Sequence, residues 1–297
     1  MNKKKITIII VIILAILLVG FIVWKNLNKN NIQDDGKLKI VTSFYPIYII
    51  AQNITEGANN IELGNMADVN VGCLHDYTLT TEDMKKVEKA DVFVVNGLGM
   101  ENFIDKVINS NNTMQVIDSS NGIENIIKDD NETNPHIWTN INNYITQVKN
   151  ISERLQQIDS KNANIYKENA ENYINQLEKL EEEYIQKLEG LKGKKVVNLN
   201  EAFEYLGQEL QMEMTTIETN HEESTMSAEM MSSIIEKMKN ENIQMILVDK
   251  NDNKTMAETI ANETGAKIYE LDSGLKGSIE KDAYINMVKY NMEILQN

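Results

Sequence analysis

Three histidines, His75, His136 and His221, are rare chemistry-bearing side chains of this sequence, and the only cysteine, Cys73, stands two places before the first of them. Two ligands as close as Cys-x-His would strain a metal site in a loop, and a single thiol supplies neither a disulfide framework nor an all-cysteine zinc site. Cys73 therefore reads as a small buried apolar residue, and His75, in GCLHDYTL (72–79), must act with partners far away in sequence. His136 stands in NPHIW. Pro135 holds Asn134 extended and presents the imidazole just before a helix expected near Thr139, with Trp138 able to pack beneath the ring. His221 lies in the acidic stretch ETNHEEST, Asp272 directly follows KIYEL, and Asn200 directly follows VVNL. Imidazole nitrogens with carboxylate or amide oxygens are donors for divalent transition metals.

Such residues need elements to position them. KLKIVTSF (37–44), DVFVVNG (91–97) and MQVID (114–118) read as strands, with a further one near 60–66. Thr80 with Asp83 resembles a capping box for a helix running to Ala90. The second half repeats this pattern, with strands at 194–199, 212–218, 243–249 and 267–271 alternating with helices at 201–210, 228–239, 254–264 and from about Lys281 to the end. Alternation of this kind argues for parallel α/β architecture. In such sheets ligands bind beyond the carboxyl ends of strands, where His75, Asn200, His221 and Asp272 fall. Between the halves, Tyr166, Ala170, Tyr173, Leu177, Leu180, Tyr184, Leu188 and Leu191 recur at spacings of three and four, which predicts one long helix packed across both lobes.

The first residues face a different solvent. Lys3, Lys4 and Lys5 precede an uncharged run from Ile6 to Trp24, long enough as a helix to span ~28 Å of bilayer. The lysines orient its start toward the cytoplasm, and no A-x-A cleavage site or lipid-accepting cysteine follows. The expectation is an uncleaved anchor with the rest extracytoplasmic; the other reading is a signal peptide cleaved and the domain secreted. The expected organisation is stub, anchor and tether at 1–37, an N-terminal α/β lobe at 38–158, the linking helix at 159–192 and a C-terminal α/β lobe at 193–297. Asp and Glu number 45 against 29 Lys and Arg, an acidic balance that repels phosphate and argues against nucleic acid as a partner. There is no HExxH helix and no Gly-x-Ser-x-Gly elbow for a hydrolase.

Several segments resemble one family in order. GCLHDYTLTTEDMKKVEKADVFVVNGLGMENF (72–103) is similar to the first-ligand segment of the zinc- and manganese-binding receptors of bacterial metal ABC importers, the TroA-like group. NPHIWTNINN (134–143) resembles the second-ligand segment, VVNLNEAFEYL (196–206) the third and YELDSG (269–274) the fourth. SFYPIY (43–48) and DAYINMVKYN (282–291) also fit, so the resemblance runs from about residue 38 to 297.

The resemblance implies two α/β lobes with parallel sheets joined by one long backbone helix, with metal in the cleft between them. It implies His75, His136 and Asp272 as ligands. At the third position the family has histidine, or glutamate in manganese receptors, where this chain has Asn200. Zinc prefers nitrogen to an amide oxygen, so His221 is the candidate replacement, with Glu222 or Glu223 behind it. Glu201 is expected to point elsewhere. Zinc follows if His221 binds; manganese fits if Asn200 and Asp272 supply oxygens. The implied function is capture of the ion by a monomer and delivery to a membrane permease, without catalysis. A zinc hydrolase and a surface adhesion or structural protein with a degenerate site are the competing classes. The 122–133 stretch carries no histidine-rich insertion and does not choose between the metals.

Overall fold

The computed structural model describes residues 36–297 apart from 75–76, 105–107, 109–112, 130–131 and 218–226. The chain divides into two units, Met1–Lys37 and Leu38–Asn297; the apolar run at 6–24 lies outside the described residues. Among the described residues no helix is long and apolar enough to cross a membrane.

Within the larger unit, each half builds a four-stranded parallel sheet. The first holds β1 (Leu38–Thr42), β2 (Ile61–Asn65), β3 (Val92–Val95) and β4 (Gln115–Asp118) in the order β2-β1-β3-β4. A two-stranded antiparallel pair, β5 (Lys128–Asp129) with β6 (Glu132–Thr133), lies between the halves in sequence. The second sheet holds β7 (Lys195–Asn198), β8 (Glu213–Thr216), β9 (Met245–Asp249) and β10 (Lys267–Leu271) in the order β10-β9-β7-β8. Central strands such as VFVV and MILVD are buried along their whole length, as expected of parallel strands covered on both faces.

Helix α1 (Tyr45–Thr55) begins with Pro46 in its first turn, where the missing amide costs nothing. Eight of its eleven residues are buried, so it shows no polar stripe. Helix α2 (Thr81–Glu88) carries the expected capping box: Thr80 Oγ1 accepts from Asp83 N while Asp83 Oδ2 accepts from Thr80 N. Helix α3 (Ile141–Ile158) leads into α4 (Ala163–Leu188), whose 26 residues bury Tyr166, Ala170, Tyr173, Leu177, Leu180, Tyr184 and Leu188. That stripe is the periodicity of the sequence made physical. Helices α5 (Glu204–Glu209), α6 (Ala228–Glu241) and α7 (Thr255–Thr264) alternate with the strands of the second sheet, and α8 (Ala283–Gln296) ends the chain. At ~1.5 Å per residue α4 runs ~39 Å, packing on α1 and α3 of the first lobe and on α8.

One apolar core runs from the first sheet through α4 into the near face of the second sheet. A smaller cluster around Val197, Ile246, Met238 and Ile260 fills the far face of the second lobe. At the junction, the rings of Tyr144 and Tyr284 stack with centroids 3.5 Å apart, and Tyr144 Oη lies 3.3 Å from Tyr173 Oη. Buried aromatic area of this kind adds directional contact to the hydrophobic gain, so α3, α4 and α8 are keyed together under the site.

Candidate metal centre

The segment Asn134–Thr139 carries the first donor. Asn134 Oδ1 accepts two hydrogen bonds from His136, from the backbone N at 2.9 Å and from Nδ1 at 2.9 Å. An amide oxygen only accepts, so Nδ1 carries a proton, and in the neutral ring the lone pair falls on Nε2. The amide is itself oriented: Asn134 Nδ2 donates to Glu201 O at 3.0 Å and to Glu204 Oε2 at 2.8 Å. The imidazole is only 2% exposed and sits with its centroid 5.2 Å from that of Trp138, the packing expected from NPHIW. Cys73 Sγ lies 3.5 Å from His136 Nε2. The cysteine is half-buried and borders the ring's lone-pair side, a closer involvement than that of a packing residue.

Behind this segment lies a buried polar chain. Glu101 accepts from Asn96 N at 2.7 Å and Gly97 N at 3.1 Å, and Asn96 Nδ2 donates to Pro135 O at 2.9 Å. Gln147 of α3 donates to Asn96 Oδ1 at 3.0 Å. Burial pushes the Glu101 carboxyl up to about 7, more than the two amides lower it.

Asp272 follows β10 directly and is 8% exposed. Asn291 of α8 fixes its backbone on both sides, its Oδ1 accepting from Asp272 N at 2.7 Å and its Nδ2 donating to Asp272 O at 2.8 Å. The carboxylate Oδ1 accepts from Gly274 N at 2.9 Å, and Oδ2 accepts from Lys250 Nζ at 2.7 Å. Gly274 has φ +71°, a left-handed conformation that favours glycine over any residue with a Cβ. Burial works against the charge of Lys250, but Asp272 outweighs it and holds the ammonium above its ordinary value. Lys250 Nζ also lies 5.0 Å from the centre of the Tyr290 ring.

The two donors belong to one connected region. Trp138 Nε1 donates to Ser273 O at 2.8 Å, Tyr284 Oη donates to Trp138 O at 2.9 Å, and Thr139 Oγ1 donates to Ala202 O at 2.7 Å. The segment after β10 is strapped to α1: Tyr45 Oη donates to Ser278 O at 2.7 Å, and Gln52 Nε2 to Ile279 O at 2.7 Å. A cavity of about 270 Å³, lined among others by Tyr45, Tyr144, Lys250, Asp272 and Tyr290, opens beside the carboxylate.

Asn200 has a structural role. Its Oδ1 caps the following turn by accepting from Ala202 N at 3.0 Å, and its Nδ2 donates to Asp252 Oδ2 at 2.9 Å. Glu201 Oε1 stands 3.9 Å from His136 Nδ1. It is on the protonated side of the ring, opposite Nε2, where it supports the imidazole and cannot share an ion with its lone pair. His75, His221, Glu222 and Glu223 lie outside the described residues. Among the described residues, no three of His, Cys, Asp and Glu gather around a common point.

Two α/β lobes are keyed by a long helix, with His136 on the first and Asp272 on the second. The chain belongs to the zinc-uptake complex component A family, ZnuA, whose model matches residues 40–297. It is similar to the zinc-binding protein AdcA of Streptococcus pyogenes, with 26% identity over 325 residues covering 99% of this chain and 61% of AdcA. The chain thus spans about three-fifths of the length of that relative. It is 28% identical to the manganese-binding lipoprotein MntA of Halalkalibacterium halodurans over 274 residues, 88% of each protein. Among solved structures, the binding protein FpvC of Pseudomonas aeruginosa in complex with Ni2+ superposes with a TM-score of 0.77 at 26% identity, covering 88% of this chain and 96% of FpvC. The crystal structure of ZnuA, 23% identical, has the same fold with a TM-score of 0.74 over 87% of this chain and 98% of its own.

Proposed function

We propose that this protein is an extracytoplasmic receptor that captures a divalent transition metal, zinc foremost, between its lobes and hands it to the permease of an ABC importer. The observation that carries this reading is the fixed tautomer of His136. Asn134 holds the proton on Nδ1 and leaves Nε2 to donate, which is how metal-binding histidines are oriented. His75, His136, His221 and Asp272 form the proposed ligand set, three imidazoles and one carboxylate. Such a set closes a tetrahedral zinc site without leaving a position for activated water. Asn200 remains the alternative third donor, and with it manganese, the ion in the name of the MntA relative; the Asn200 oxygen would have to leave its capping bond to serve. The unit acts as a monomer.

Isothermal titration decides the matter. The full-length chain should bind one zinc ion, and His75→Ala with His136→Ala should abolish binding; unchanged affinity in that double variant would sink the site. His221→Ala should weaken zinc more than manganese, because imidazole suits zinc better than a harder ion. The receptor is held at the membrane through Ile6–Trp24. Mass analysis of the protein from its native membrane checks this, and a mature N-terminus beyond residue 24 would contradict it.

A further inference from the structure

We propose that Lys250 is a built-in competitor for the metal: its ammonium holds the Asp272 carboxylate by the contact an arriving cation must take over or oppose. The inference rests on the reading that Asp272 is a ligand. Lys250 Nζ stands 2.7 Å from Asp272 Oδ2, and the other oxygen accepts from Gly274 N. Both oxygens are therefore engaged, one of them by a full positive charge. A divalent ion bound at this carboxylate would stand within a few ångströms of the ammonium; the Asp272 side chain is 10% exposed and that of Lys250 37%, so water screens the repulsion only in part.

The fold also gives the ammonium a second contact that does not depend on the carboxylate. Lys250 is the residue immediately after β9, and its side chain lies over the ring of Tyr290, 5.0 Å from the centroid. An ammonium over an aromatic face keeps part of its stabilisation. The aromatic contact is made together with the ion pair, so the ammonium retains it when metal takes Oδ2. Lys250 thus lowers equilibrium affinity and speeds release. Both suit a receptor that must surrender its cargo to a permease, where grip beyond what capture needs slows delivery.

The test compares Lys250→Met and Lys250→Arg with the wild-type full-length chain, using zinc and manganese ions as probes. Removing the charge should tighten binding of both ions about tenfold, ~1.4 kcal/mol, and slow release into a chelator by a similar factor. Arginine, which keeps the charge, should stay near wild type. Without metal, Lys250→Met should melt lower than wild type, because Asp272 loses its partner, yet its melting point should rise more on adding zinc. A merely structural lysine would lower both. Unchanged or weaker metal binding in Lys250→Met overturns the inference while leaving the receptor reading intact. If that variant does not fold, Lys250→Gln is measured by the same criteria. If the wild-type chain binds neither ion, the receptor reading and this inference fall together.

Discussion

His136 and Asp272 are held by opposite means. The imidazole is fixed by a neutral amide and an indole in a nearly closed pocket, with a thiol on its lone-pair side. The carboxylate is fixed by one backbone amide, that of Gly274, and a lysine. The first lobe therefore offers a candidate donor whose direction is set by a neutral amide. The second offers a charge already partly compensated. Geometry is determined on one side of the site and electrostatic strength on the other, so the two sides should respond differently to mutation.

That contrast can be broken most severely at Asn134. Asn134→Ala removes the acceptor that selects the tautomer, frees the ring and should weaken zinc binding about tenfold or more, the usual range for a partner that orients a metal-binding histidine. On the opposite side of the same ring, Cys73→Ser should change affinity by less than about twofold. Titration of both variants beside the wild type measures the asymmetry; equal losses would mean that the thiol is itself a donor. A gentler probe lies behind the segment, at Glu101. Its folded carboxyl is raised to about 7 from 4.5, so between those values the folded chain binds more protons than the unfolded chain. Stability should therefore fall as pH rises from about 4.5 to about 7 and level off above that, once the folded carboxyl has given up its proton. Glu101→Gln should flatten that fall, the difference amounting to several degrees of melting temperature. Thermal melts across pH check it, and parallel slopes for the two proteins would refute it.

Legibility in the sequence followed the range of the interaction. The capping box at Thr80 and Asp83 and the apolar stripe of α4 are local, three and four residues apart, and both stand where the sequence placed them. The parallel strands were readable as apolar runs. Helix α1 was not: buried nearly all round, YPIYIIAQNIT carries no polar face to set a helical period. Within the site, the proximity of Trp138 to His136 could be inferred from adjacency. The approach of Glu201 to His136 and the partnership of Lys250 with Asp272 could not, because each depends on how separate segments fold together. The capping role of Asn200 was available in principle, since asparagine before a helical turn is a common cap, but its position in a ligand segment pointed toward metal instead.

Trp138 has a consequence of another kind. It is fully buried, its indole nitrogen donates to Ser273, and its ring lies against His136. The sequence contains two tryptophans, Trp24 and Trp138. Replacing Trp24 by phenylalanine leaves a single tryptophan, excited selectively above the tyrosine absorption, that touches both His136 and the Ser273 carbonyl. Any event that polarises the imidazole or shifts the Ser273 carbonyl alters the dipoles around that excited ring. The molecule thus carries its own optical gauge, and its emission can time the arrival and departure of an ion without an attached dye.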